Sequence, residues 1–308
     1  MPLAPEYAAM FEQLAAQEPA PPIYELSPAD ARELYRAMRP VVPELPVHKI
    51  TDRTIAGTLG DIPVRIYTPA GDGPHGVLVY FHGGGWVIGD CDTCDAVCRE
   101  ISTLAGLVVV SVDYRMAPED IYPASVIDAY NATAWANSHM ADLNGNGKLG
   151  VAGESAGGNL SAAVCLKARD ENGPAIAFQC LLYPVTDSDL SRPSYAANGE
   201  GYILETATMA WFWNTYCPDP SLRTQALAAP LNADNLTNLP AALVVTAEFD
   251  PLRDEGEAYA DALKAAGNQA EWVRYDGMVH DFFGTAVAFE SARTGFLETV
   301  DALKLHLN

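Results

Sequence analysis

Along most of the chain, short apolar runs alternate with longer amphipathic stretches. The runs at 62–67, 77–81, 107–112, 149–152, 178–183, 243–246 and 271–275 read as β-strands. Several are apolar without a break, the pattern of strands covered on both faces. Helical periodicity separates most of them and predicts helices over 124–138, 158–169, 254–266 and 286–307. Strand then helix, repeated, predicts an α/β fold with a mostly parallel central sheet flanked by helices.

Two regions depart from that rhythm. The N-terminal part predicts one helix over 6–17, ended by a break at Pro19, Pro21 and Pro22. Ser27, an N-cap residue, and Pro28 at the first helical position announce a second helix. Between 187 and 240 no strand pattern is visible, but Tyr195, Tyr202, Trp211, Phe212, Trp213 and Tyr216 cluster there. An insertion of this kind lies at a sheet edge or over one end. Over the strand carboxyl ends it would cover the expected ligand crevice. These aromatics would also supply the insertion with its own small core. No internal repeat interrupts the chain. The predicted organisation is N-terminal helices over 1–45, a core from 46–186 and 241–308, and an insertion over 187–240.

Composition narrows the function. With 308 residues, 49% hydrophobic and 19% charged, the chain can bury a sizeable core. Forty acidic residues against 18 basic ones give a net charge of −22, which disfavours nucleic acid and anionic membranes as partners. No apolar run approaches the roughly 18–20 residues of a membrane span, so no stable membrane anchor is expected. The first residues show no basic group before an apolar stretch, and a secretory signal is not expected. Six cysteines without such a signal point to a reducing cytoplasm rather than a disulfide framework.

The strongest local chemistry is Gly153-Glu154-Ser155-Ala156-Gly157, between a predicted strand and a predicted helix. That is the context of a nucleophile elbow, where glycines relieve crowding in a sharp turn and the serine Oγ is lifted from the sheet. The N–H of Ala156 then starts the helix, aimed at any oxyanion formed there. His82-Gly83-Gly84-Gly85-Trp86 directly follows the strand at 77–81. No phosphate-loop lysine or dinucleotide glycine pattern accompanies it, so its glycines read as backbone donors approaching a developing oxyanion.

Of six histidines, only His280 and His306 follow Ser155, as the order serine, acid, histidine requires. His306 lies at the end of the last predicted helix. His280 lies just past the strand at 271–275 and is the candidate base. The acid should follow the strand at 243–246. Asp250 is favoured because Pro251 holds it extended and outside the helix, while Glu248 and Asp254 remain alternatives. Asp254 and Glu255 fall in the next helix's first turn, where acids favour the helix dipole.

On these residues the chain resembles the hormone-sensitive lipase family of esterases, also called bacterial family IV. The resemblance extends through Asp113-Tyr114-Arg115-Met116-Ala117-Pro118-Glu119, Tyr122-Pro123-Ala124, Tyr183-Pro184, the stretch 250–255 and His280-Asp281-Phe282. It implies an α/β-hydrolase fold with a helical cap built from the N-terminal helices and the 187–240 insertion. It implies Ser155, Asp250 and His280 as a triad, and an oxyanion hole from the N–H groups of Gly83, Gly84 and Ala156. Gly85, Gly153 and Gly157 would support these loops, and His82 would shape the glycine loop. Small acyl esters, from acetyl to about hexanoyl, are the implied substrates, without metal or organic cofactor, and a homodimer is the implied assembly. One departure is Glu154, where the family more often has Asp or Thr.

The rival readings are an amidase or arylformamidase, a serine peptidase, and a non-catalytic receptor that keeps this fold; the presence of His280 argues against the last. Two other signals carry less. Cys91, Cys94 and Cys98 resemble a metal cluster but lack a fourth ligand, and on a helix they would share one buried face. Asp142-Leu143-Asn144-Gly145-Asn146-Gly147 opens like a calcium loop, yet the position due to hold its bidentate Glu is Gly153, so a turn before the strand is expected.

Overall fold

The computed structural model describes residues 2–17, 20–39 and 45–308. Met1 and Pro19, part of the readings above, lie outside them. The sheet has eight strands: β1 (Lys49–Ile55), β2 (Ile62–Thr68), β3 (His75–Phe81), β4 (Val108–Val112), β5 (Gly145–Glu154), β6 (Phe178–Leu182), β7 (Ala241–Phe249) and β8 (Ala270–Val279). Their order is β1-β2-β4-β3-β5-β6-β7-β8. The pairs β1–β2 and β2–β4 are antiparallel, and every pair from β4–β3 to β7–β8 is parallel.

Helices α4 (Ala124–Ser138), α5 (Ala156–Asp170) and α8 (Arg253–Ala265) cover one face, while α3 (Asp95–Ala105) and α9 (Glu290–Leu307) cover the other. The side chains of β3 alternate between the two cores. Val77, Val79 and Phe81 pack with α4 and α5, and Leu78 and Tyr80 pack with α3 and α9. Both faces are therefore apolar, which is why the strand reads as an unbroken hydrophobic run. Burying each such Val, Leu or Phe side chain contributes about 1.5–3 kcal/mol.

Helix α1 (Pro5–Ala15) and helix α2 (Pro28–Met38) occupy the predicted N-terminal positions. Ser27 Oγ accepts the Asp30 N–H at 3.2 Å, as expected of an N-cap. The 187–240 stretch contains α6 (Pro193–Asn198), α7 (Thr206–Tyr216) and two 3-10 turns, with no strand among them.

Two elements escaped the sequence reading. β1 is an edge strand, mostly exposed and polar, held by backbone pairing from Lys49↔Thr68 to Ile55↔Ile62. It needs no apolar run, so it left none. Helix α3 was also unassigned, and it starts only at Asp95. Cys91 and Cys94 lie in the turn before it and only Cys98 lies on it, although all three are buried as expected. The predicted turn before β5 ends earlier than expected, since Gly145 already pairs with β3.

Candidate active site

Strand register gathers the candidate residues. Phe81 pairs with Gly153 across β3 and β5, so the glycine loop after Phe81 and the serine after Glu154 leave the sheet side by side. Phe249 pairs with Val279 across β7 and β8, so Asp250 and His280 also emerge at one level. All four connections lie at the carboxyl end of the parallel strands, where the crevice of an open α/β sheet forms.

Ser155 has φ 56 and ψ −116, a backbone region that a non-glycine residue occupies only under constraint. Its N–H donates to Leu182 O at 2.8 Å, and its carbonyl accepts from Asn159 N at 3.0 Å and Val185 N at 3.2 Å. A Cβ at position 157 would sit 1.9 Å from Phe81 O, and one at 153 would sit 2.4 Å from the Gly157 carbonyl. The elbow thus excludes side chains at both glycines, for the reason the motif suggested.

His280 Nε2 lies 3.1 Å from Ser155 Oγ, and His280 Nδ1 lies 2.7 Å from Asp250 Oδ2. All three residues are buried. The other Asp250 oxygen accepts the Leu252 N–H at 2.8 Å, which fixes the carboxylate plane. Burial opposes charge on the imidazole, but the Asp250 carboxylate outweighs it, and the His280 pKa is raised above its usual 6.5. The alternative acids are engaged elsewhere. Glu248 accepts the Gly277 N–H at 2.8 Å, and Asp254 accepts the Ser194 N–H at 2.8 Å. Glu255 does more than favour a helix dipole. It is buried and accepts the N–H groups of Thr186 at 2.8 Å and Asp187 at 3.2 Å, tying the start of the insertion to α8.

The glycine loop is shaped by its neighbours. His82 Nδ1 lies 2.7 Å from Gly83 O, and the imidazole stacks on Tyr114 with ring centres 4.2 Å apart. Gly84 has φ +113, and a Cβ there would meet Ile88 O at 2.1 Å. Phe212 of α7 packs directly on Gly85, and Tyr216 stacks on Trp86 at 4.1 Å. Among the described residues no acceptor pairs with the N–H of Gly84 or Ala156. The Gly83 N–H instead donates to Glu154 Oε1 at 3.2 Å.

These groups face a cavity of about 80 Å³ whose apolar wall includes Ile23, Ile88, Leu204 and Phe212. Its other side carries Glu154, Asp281 and Tyr35. Arg39 at the end of α2 pairs with Asp281 and Tyr35 there. Sequence reasoning missed this cluster. Arg39 and Tyr35 are remote from every motif, and Glu154 had drawn notice only as an unusual elbow residue. Among the described residues no group of three His, Cys, Asp or Glu side chains could hold a metal ion.

Sheet order, crossovers and flanking helices make this an α/β-hydrolase fold. The sequence profile of the alpha/beta hydrolase fold family matches residues 78–284, and the chain belongs to that family, in the hormone-sensitive lipase type its motifs resemble. It is 42% identical over 287 residues to the carboxylic ester hydrolase LipN of Mycobacterium tuberculosis, covering 90% of this chain and 76% of that protein. It is 40% identical to the esterase LipI of the same organism, covering 92% of each chain. The solved structure of a thermostable esterase from Pseudomonas putida superimposes with a TM-score of 0.94 at 39% identity, covering 100% of this chain and 98% of that one.

Proposed function

We propose that this protein, a serine ester hydrolase of the α/β-hydrolase family, cleaves short-chain acyl esters of small alcohols, with Ser155 as nucleophile, His280 as base and Asp250 as its partner. One observation carries the assignment of residues: the continuous relay of 3.1 Å and 2.7 Å from Ser155 through His280 to Asp250, beside an apolar cavity. His280 Nε2 accepts the Ser155 proton as Oγ attacks the ester carbonyl. Asp250 holds the Nδ1 proton and offsets the imidazolium charge. Gly84 and Ala156, joined by Gly83, donate to the tetrahedral oxyanion. His280 then protonates the leaving alcohol, and water repeats the cycle on the acyl-enzyme.

The cap of this reading comprises α1, α2 and 187–240. Its support is that α2 supplies Tyr35 and α7 supplies Phe212 to the cavity wall. The small cavity supports acyl chains from acetyl to about hexanoyl. A reducing cytoplasm fits six buried, unpaired cysteines. No helix of the described residues is long and apolar enough to cross a membrane. A homodimer is supported by edge strand β8, where Trp272 and Val273 are exposed.

The test is an acyl-chain series of p-nitrophenyl esters with the wild type and Ser155→Ala, with the anilide of the preferred acyl group beside it. The reading expects a short-chain optimum, slow anilide turnover and no turnover in the mutant. Undiminished hydrolysis by Ser155→Ala would remove Ser155 from the chemistry.

A further inference from the structure

The elbow carries a second buried side chain beside the nucleophile, and the chemistry above does not use it. Glu154 Oε1 accepts the Gly83 N–H at 3.2 Å, and Glu154 Oε2 lies 3.2 Å from Tyr80 Oη. Glu154 is 3% exposed, so its charge has no solvent to spread into. On the same cavity wall, Asp281 forms an ion pair with Arg39. Two carboxylates, the buried Glu154 and the partly buried Asp281, thus act on one partly buried guanidinium. A single cation cannot neutralise both, and the one not paired with it holds a proton more readily.

We propose that Glu154 is a positioning residue of the oxyanion hole, which retains the Gly83 N–H when ionised and yields it to the oxyanion when protonated. The inference rests on the serine-hydrolase reading and deepens it. An ionised carboxylate accepts an N–H far more strongly than a neutral carboxyl does. It also sets a negative charge on the donor that the oxyanion needs. Protonation removes both obstacles at once. Burial, with the Asp281 charge, pushes the Glu154 carboxyl up to about 7, within the working range of the histidine base.

The groups facing Glu154 come from every element around it. They are Tyr80 on β3, Arg39 and Tyr35 at the end of α2, Tyr183 after β6, Cys94 just before α3 and Cys98 on it, Tyr114 after β4, and His280 and Asp281 after β8. Burial raises the tyrosine and Cys98 values above their usual ones, and the hydrogen bond with Cys98, then burial, raises that of Cys94, so these groups stay neutral at neutral pH. Arg39 stays charged. His82, whose Nδ1 meets the Gly83 carbonyl at 2.7 Å, is lowered below its usual 6.5 by burial and stays neutral at neutral pH. Glu154 and His280 then remain to titrate against each other, and the charge of Glu154 is one of the influences raising His280.

The experiment compares kcat for phenyl acetate from pH 6 to 9.5, by pH-stat, in the wild type and Glu154→Gln. Glutamine keeps the acceptor for Gly83 but cannot ionise. The wild type should lose about tenfold in kcat on the alkaline side, a fraction of the ~10²–10³ seen when an oxyanion donor is deleted. In Glu154→Gln that alkaline fall should vanish, and the acid limb should move to lower pH. Parallel profiles, with the mutant only uniformly slower, would overturn the proposal and leave Glu154 a packing residue. If the variant does not fold, the wild type's affinity for a trifluoromethyl ketone gives the same answer. Binding that weakens above pH 7 supports control of Gly83, and pH-independent binding contradicts it. Stoichiometric labelling of Ser155 by a phosphonate, run in parallel, keeps a failure of the serine reading separate from a failure of this one.

Discussion

The floor and the roof of the cavity are built by different rules. The floor hangs from four strand ends whose register is set by backbone pairing: Phe81 beside Gly153, and Phe249 beside Val279. Ser155, Asp250 and His280 reach each other because those pairings leave little freedom. The roof is made of α2, α7 and irregular chain, attached mostly through side chains, with the Tyr122 N–H donating to Tyr216 O at 2.8 Å as a backbone link. Phe212 lies on Gly85, Tyr216 on Trp86, Arg32 bonds the carbonyls of Val87 and Ala117 at 2.8 and 2.9 Å, and Arg39 pairs with Asp281. The floor is suited to hold reacting atoms, and the roof to vary what fits above them. Changes to the floor should therefore remove chemistry, and changes to the roof should redistribute preference.

The largest effect is expected at the floor. Ser155→Ala should lower kcat by at least about 10⁴-fold, since nucleophile deletions in serine hydrolases reach ~10⁶. Asp250→Asn should lower kcat by a similar ~10⁴-fold by favouring the wrong imidazole tautomer, whereas Glu248→Gln should cost less than about tenfold. Steady-state kinetics on one ester series checks all three, and equal losses at 248 and 250 would contradict the choice of acid.

Sequence pattern reached the floor in detail and the roof only in outline. Ser155 and the glycine loop were legible because each follows a strand end buried on both faces, which writes itself as a hydrophobic run; His280 follows the mostly exposed edge strand β8 and stood out by its order after the serine. Asp250 stood apart from Glu248 and Asp254 only through Pro251, and the structure gives those two acids other partners: Gly277 and Ser194. The roof announced itself by the Ser27-Pro28 start of α2 and the aromatic insertion, but its contacts left no signature. α7 is aromatic on several sides, and nothing in its sequence says that Phe212 rests on Gly85. The Arg39–Asp281 pair joins positions 242 residues apart, and the Gly83–Glu154 bond joins positions 71 apart, beyond any local pattern.

Roof changes should be smaller and selective. Phe212→Ala opens the space over Gly85 and should move the preferred acyl chain to longer esters. The ratio of octanoyl to acetyl kcat/KM should rise about tenfold or more, given that a methylene in a pocket is worth about 1–3 kcal/mol. Phosphonate labelling of Ser155 should change little. A uniform loss across chain lengths would place Phe212 with the floor instead.

The pH response belongs to the floor. His280 must be neutral to act as base, and its pKa is raised, so activity should fall on acidification from a pH above 6.5. A kcat/KM profile that stays level to about pH 5 would contradict histidine as base. The smallest effect lies farthest from the chemistry. Ser27→Ala removes the cap of α2 and should lower stability by about 0.5–2 kcal/mol, read by thermal unfolding, with kcat unchanged.

The most direct measurement is intact-mass and peptide analysis after exposure to a serine-directed phosphonate, in the wild type and in His280→Ala. The account predicts one adduct per chain, on Ser155, and labelling slowed by about 10² or more without the imidazole. An adduct on another residue, or full-rate labelling of Ser155 in His280→Ala, would contradict it.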